Sequence, residues 1–381
     1  MTKRIIVVIA VSIHCMMMLA QDVSLFKELS DSLFLTNDAY INGNKYQRDA
    51  MLFVDMLADT HPYYIKKERR DVLFAGQTEL LKSCATCESD SAFVELLIAT
   101  LGNLRDKHTD VINLTQLEAK RNAKHENVQQ SAGQADAIMA SKGDLFHYQI
   151  IPKKGIYYLQ FNQCADARTL RNESLPRWDT MLDDMFAEMK AKGIKRLIVD
   201  AQYNNGGNSM LCDELLIRLC PFEKLQLLST SLRFSRLMAE YNPRIAIAKQ
   251  NWEADGHIDE LYPMPSGNVG PDFVQPEVYD GKTIFVQSEK TYSSAGILMT
   301  LVRDNHLGII VGTNSTFSPS HYGEVLPYRL PNTGVIGTIS CKFFARPDKE
   351  HVDDETLVPD VSIDLTDKVK AFDSIKRLFD K

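Results

Sequence analysis

Residues 281–300 read GKTIFVQSEKTYSSAGILMT. The first half is a short apolar run bounded by Gly281 and by polar residues, which is the pattern of a strand buried on both faces. The second half puts Ser293 and Ser294 where an apolar helix begins. Two readings of the serines are open. A serine hydroxyl is a good N-cap, because it satisfies an orphan N–H of the first helical turn. A serine at that place can also attack a carbonyl, with the same orphan N–H groups holding the oxyanion. A hydroxyl alone is a weak nucleophile, so the second reading needs a base from elsewhere in the chain.

Outward from this point the chain alternates strands and helices. GIYYLQF (155–161) reads as a strand, and RWDTMLDDMFAEMKAKG (177–193) as an amphipathic helix stopped by Gly193. IKRLIVDA (194–201) is a buried strand, SMLCDELLIRLC (209–220) a helix, and LGIIVGT (307–313) a strand. Such alternation predicts an α/β fold with a parallel-rich sheet over 144–381. Residues 229–280 are irregular, with Pro, Asn and Gly accumulating after 240. The earlier part, 21–112, reads as a helical domain. SAFVELLIATLGNL (91–104) has apolar residues at helical spacing behind the cap candidates Ser89, Asp90 and Ser91, and HPYYIKKERRDVLFAGQTELLKSC (61–84) follows a proline turn. Residues 113–143 are polar and read as a connector.

Residues 1–20 stand apart. Lys3 and Arg4 precede the apolar run IIVVIAVSIHCMMML, which exits at Ala20-Gln21. This is the layout of a secretory signal, and the run is short for a membrane span. The expected location is therefore periplasmic or extracellular, with no stable membrane insertion once the signal is removed. Lipidation at Cys15 is a lesser alternative, since His14 is a poor residue before a lipoprotein cysteine. Without Lys3 and Arg4 the 43 basic residues become 41 against 50 acidic ones, a net charge of −9. That balance argues against nucleic acid as a partner. The full length, 44% hydrophobic and 24% charged, is enough for one large or two modest domains. Cys84 and Cys87 form a CATC pair. No second pair or spaced histidine accompanies it, so a local disulfide or two thiols is preferred to zinc, and no metal or cofactor is expected.

Two more segments bear on the serines. IVDAQYNNGGNS (198–209) runs a buried strand into Gly206-Gly207, where backbone can approach closely and aim an N–H at an oxyanion. It also reads as a plain turn capped by Asn208 or Ser209. LRDKHTDV (104–111) holds His108, whose imidazole can serve as a base near neutral pH, and which equally reads as a cap or surface histidine.

Taken in order, these segments resemble a family of serine peptidases. It includes the C-terminal (tail-specific) processing peptidases, the tricorn core and the related retinoid-binding repeats. Asp106-Lys107-His108-Thr109 is similar to its D-G-H-T segment, and Asp200 to Gly207 to its D-L-R-x-N-x-G-G segment. Thr291 to Gly296 is similar to T-F-S-S-A-E, Gly312 onward to G-x-x-T-x-G, and Pro359-Asp360-Val361 to P-D-[IV]. The resemblance spans most of 90–365. It implies a crotonase-like (ClpP/crotonase) core and a peptide or protein substrate. It implies Ser293 as nucleophile, with Ser294 and Gly206 or Gly207 forming the oxyanion hole. Phe317-Ser318-Pro319 stand where a Ser-Lys enzyme has its lysine, so the tricorn-like branch fits better, with His108 as base and a late acid at Asp353 or Glu355. No PDZ module fits in the short connector. Gly296 for glutamate, Ala201-Gln202 for Leu-Arg and Ser318-Pro319 for glycines are departures. They keep open a weakened relative that binds a peptide or hydrophobic ligand. An acyl-CoA enzyme of the crotonase type is disfavoured, because no coenzyme A recognition features are found and export makes that cofactor scarce.

Overall fold

The computed structural model describes residues 26, 42–102, 104–112, 144–151, 155–265 and 272–380. The signal reading and the connector reading fall outside them. Eleven strands are described: β1 Asp110–Ile112, β2 Phe146–Ile151, β3 Ile156–Phe161, β4 Arg196–Asp200, β5 Ser229–Leu232, β6 Tyr262–Pro263, β7 Lys282–Gln287, β8 Ile309–Gly312, β9 His321–Arg329, β10 Ile336–Ala345 and β11 Val361–Ser362. They fall into two sheets and the chain into two compact units.

The unit that holds the serines spans 132–229, 265–321 and 345–381. Its sheet runs β11-β8-β7-β4-β3-β2, with only β2–β3 antiparallel among its pairs. Strands β4 and β7 lie side by side in parallel, Asp200 opposite Val286. From Thr283 to Gln287 every residue of β7 is buried, as a run with no alternation requires of a central parallel strand. One side of the sheet packs Ile198, Ile284, Val286 and Val311 against Phe372 and Ile375 of the helix Lys368–Leu378. The helix Trp178–Ala191 opens with Trp178, whose ring stacks on Phe161 at 4.3 Å and whose indole N–H donates to the Leu211 carbonyl. Gly193 sits at φ 64°, the left-handed stop expected after that helix.

The other unit gathers 1–131, 230–264 and 322–344. Its helix Lys45–Thr60 starts on a capping box between Asn44 and Gln47. A short 3-10 turn, Pro62–Ile65, leads into the helix Lys67–Ala85. The helix Asp90–Leu101 is capped by Ser89, whose hydroxyl accepts from the Ala92 N–H. The buried faces of these helices join Leu232, Leu326, Tyr328 and Ile339 in one core. A second sheet, β1-β10-β5-β6 with β9 on β10, completes the unit. Space therefore does not divide the chain at residue 144. The helical portion takes its sheet partners from two later segments, and β1 finds its antiparallel partner β10 more than 200 residues on. The stretch expected to be irregular contains the helices Arg236–Tyr241 and Arg244–Ala254.

Candidate active site

Ser293 sits just past β7, at the carboxyl ends of β4 and β7, where open parallel sheets place their binding crevices. It precedes the helix Ser294–Asp304 but does not cap it. A capping serine has extended backbone and accepts from N2 or N3. Ser293 has φ 52° and ψ −125°, and its hydroxyl makes no cap hydrogen bond. A non-glycine residue at positive φ is uncommon and carries backbone strain.

The turn after β4 explains why the strain persists. Asp200 is fully buried and accepts from the Gln202 N–H at 3.0 Å, the Gln202 amide at 2.8 Å and the Tyr158 hydroxyl, which pins the start of the turn. Burial pushes the Asp200 carboxyl up, against those donors. The Asn204 carbonyl accepts from the Tyr292 N–H at 3.0 Å, and the Thr291 hydroxyl donates to the Ala201 carbonyl at 2.9 Å. The two strand ends are thus laced together just ahead of the serine. Gly206, at φ 102°, comes so close that an added Cβ would lie 2.6 Å from the Ser293 Cβ and 3.0 Å from the Ser294 nitrogen. Gly207, at φ 137°, is pressed on the Cys164 carbonyl. The Ser294 hydroxyl donates to the Gly207 carbonyl at 2.7 Å. The Gly206 N–H donates to Asn204 Oδ1 at 2.9 Å, and the Gly206 carbonyl accepts from the Cys164 N–H at 3.1 Å. Ser293, Ser294, Gly206 and Gly207 therefore form one compact group.

His108 belongs to the other unit and is buried. Its surroundings are charged and densely bonded. Asp106 accepts the His108 backbone N–H at 2.9 Å, and Nδ1 of His108 stands 3.3 Å from the same oxygen. The other oxygen takes the Thr109 hydroxyl at 2.7 Å and Nε2 of His61 at 3.0 Å. His61 Nδ1 accepts from the Tyr63 N–H, so its Nε2 carries the proton and donates to Asp106. Burial holds His61 below the ordinary histidine range, outweighing the pull of Asp106, and keeps it neutral. For Asp106, burial raises the carboxyl, but the hydrogen bonds from His108 and His61 overcome that and hold it well below the usual carboxylate range. The His108 carbonyl accepts from the Thr338 hydroxyl at 2.8 Å, which anchors the loop to β10.

Asp106 and His61 were not singled out in the sequence as site residues. Asp106, two positions before His108, is a carboxylate in contact with it. Asp353 and Glu355, the expected late acids, are both exposed on the segment after β10 in the other unit, where the Glu355 carbonyl accepts from the Ser318 hydroxyl. Gly296 has a local reason to lack a side chain: a Cβ there would meet the buried Phe317 ring at 2.2 Å. Phe317 also stands edge-on to Tyr292 at 5.3 Å. Among the described residues no group of His, Cys, Asp and Glu is arranged to hold a metal ion, and no helix is long and apolar enough to cross a membrane.

Solved structures that share this fold include the following three. A candidate peptidase from Parabacteroides merdae aligns with a TM-score of 0.56 at 16% identity, over 87% of this chain and 96% of that one. Mature CPAF complexed with lactacystin aligns with a TM-score of 0.58 at 13% identity, over 88% and 98%. A lipoprotein from Streptococcus agalactiae aligns with a TM-score of 0.50 at 11% identity, over 87% and 96%. No curated protein sequence is significantly similar. Peptidase family S41 matches residues 156–363, more than half of the 381, and the match covers both the Gly206-Gly207 turn and Ser293. On that match the chain belongs to Peptidase family S41 and is a serine-type peptidase.

Proposed function

We propose that this peptidase is exported and cuts peptide bonds through an acyl-enzyme on Ser293, with His108 as general base. The observation that carries the nucleophile assignment is the backbone of Ser293. A capping serine has no need of φ 52°, whereas a nucleophile held at a strained turn between strand and helix does. The hydroxyl attacks the substrate carbonyl, and the oxyanion points at the start of the helix Ser294–Asp304. The Ser294 N–H, an orphan of the first turn, is one donor. Gly207 is the better choice for the second, because the Gly206 N–H is already given to Asn204. Gly206 serves by its missing Cβ.

His108 takes the serine proton on Nε2 and returns it to the leaving amine. Asp106 fixes the tautomer by holding Nδ1–H and stabilises the imidazolium, the role first expected of Asp353 or Glu355. A water then releases the acyl group by the same path. Export rests on residues 1–20, and cleavage at Ala20-Gln21 would be read by intact mass of the released protein.

The test of the mechanism is labelling by a fluorophosphonate, in which the hydroxyl displaces fluoride from phosphorus. Ser293→Ala abolishes labelling while far-UV circular dichroism is unchanged. His108→Ala slows it by on the order of 10³-fold or more, and added imidazole restores part of the rate. Labelling of Ser293→Ala at the wild-type rate would overturn the nucleophile. Labelling of His108→Ala at the wild-type rate would overturn the base.

A further inference from the structure

Directly behind the serine group lie two thiols that the mechanism does not use. Cys164 and Cys212 are 0% and 1% exposed, and their sulfurs are 3.5 Å apart. Neither is a bystander to the turn. The Cys212 thiol donates to the Ser294 carbonyl at 3.3 Å, and the Cys164 thiol to Asn204 Oδ1 at 3.5 Å. That same Asn204 oxygen holds the Gly206 N–H. Through its backbone, Cys164 pairs with Gly206 and Asn208 on either side of Gly207.

We propose that Cys164 and Cys212 are a covalent modification site: they join as a cystine, with an external disulfide as the oxidant, and the bond reshapes the support of the oxyanion turn. One cysteine thiolate attacks the external disulfide, R–S–S–R, and releases the first R–SH. The second thiolate displaces the remaining R–S group and leaves Cys164–S–S–Cys212. One S–S bond breaks and one forms. The two cysteines are oxidised, the external disulfide is reduced, and both thiol protons end on the two R–SH products. A disulfide holds its sulfurs at about 2.05 Å, so they must close by roughly 1.5 Å. The helix Met210–Leu219 carries Cys212 in its first turn, so a small shift or χ1 rotation there supplies the movement. Both thiol donors are consumed by the bond. Ser294 and Asn204 lose the Cys212 and Cys164 hydrogen bonds, at the first residue of the helix and at the acceptor that holds the Gly206 N–H next to Gly207. The hydrogen bond with Cys164, and then burial, raise the Cys212 thiol, so exchange in the closed fold is slow and needs local opening.

The consequence for rate rests on the assigned oxyanion hole, whereas the bond itself does not. The experiment separates them. The full chain is incubated with excess glutathione disulfide at mildly alkaline pH, natively and in sub-denaturing urea. It is then alkylated under denaturing conditions, digested and weighed. The expected result is a linked pair of peptides carrying Cys164 and Cys212, two hydrogens lighter than the free pair. Recovery of both residues alkylated in both samples overturns the site. In parallel, fluorophosphonate labelling of the refolded, oxidised chain is expected to be on the order of tenfold slower and to recover with dithiothreitol. In Cys212→Ser the labelling rate no longer responds to the oxidant. A linked pair with an unchanged, still measurable labelling rate overturns the coupling to the turn. Absence of labelling in the reduced wild-type chain would instead implicate the Ser293 reading.

Discussion

The surroundings of Ser293 and those of His108 are built on different principles. Around the serine, position is set by backbone: two parallel strand ends, two glycines at positive φ and a helix start, with most hydrogen bonds running to main-chain atoms. Around the histidine, position is set by one buried carboxylate that collects donors from His108, Thr109 and His61. The first arrangement is intolerant of added atoms. The second can accept changes of shape but depends on charge. A steric substitution and an electrostatic one should therefore fail at opposite places.

Asp106→Asn is the sharpest break. It keeps the shape and removes the charge that holds Nδ1–H, so fluorophosphonate labelling should fall by roughly 10³- to 10⁴-fold. A fall of less than tenfold would return the orienting role to Asp353 or Glu355. Gly206→Ala comes next. Its Cβ collides with the Ser293 Cβ, and labelling should drop by on the order of 10²-fold, as expected when an oxyanion site is displaced. Gly193→Ala is the control: it shares positive φ but has nothing within 4 Å of the new Cβ, so it should lower stability slightly and leave labelling alone.

Smaller effects concern stability. Gly296→Ala forces the Phe317 ring to move and should cost about 1–3 kcal/mol in denaturant unfolding. A shift within error would mean that Phe317 moves aside freely. For pH, the sign follows from the histidine side. His61 is depressed below its unfolded value, so its stabilising contribution is complete above about 6.5 and fades as pH falls below that. Asp106 is also depressed, and its contribution is lost only at much lower pH. Wild type should therefore lose melting temperature relative to His61→Phe as pH falls from 7 to 5, while the Asp55 and Asp213 carboxyls, pushed by burial up to about 6, act in the opposite sense in both proteins. A difference between the two proteins that does not change over that range would contradict the neutral His61.

The two sides also differed in how far the sequence disclosed them. The serine side was readable because its signals are local: an unbroken apolar run, a glycine pair and a small-residue helix start each occupy a dozen residues or fewer. Asp106 was within reach, since an aspartate two places before a residue can accept that residue's backbone N–H, whereas the resemblance implies a late acid. His61 was not within reach. Its contact with Asp106 spans 45 positions and exists only after the helices pack. The helix Arg244–Ala254 escaped for a different reason. It buries none of its residues, so it carries no apolar stripe to read. Nor does any local pattern in Asp110–Ile112 reveal that its partner lies in β10.

The left-handed turn at Ser293 bears on how this chain has been kept. Glycine adopts φ 52° at little steric cost, so Ser293→Gly should raise stability by about 0–1 kcal/mol, since relief of strain is partly offset by a looser unfolded chain. A copy of the gene that no longer needed the hydroxyl would have nothing to lose from that exchange. A serine that stays at such a spot marks selection for its oxygen, and its replacement by glycine in a descendant would be an early sign of a retired enzyme.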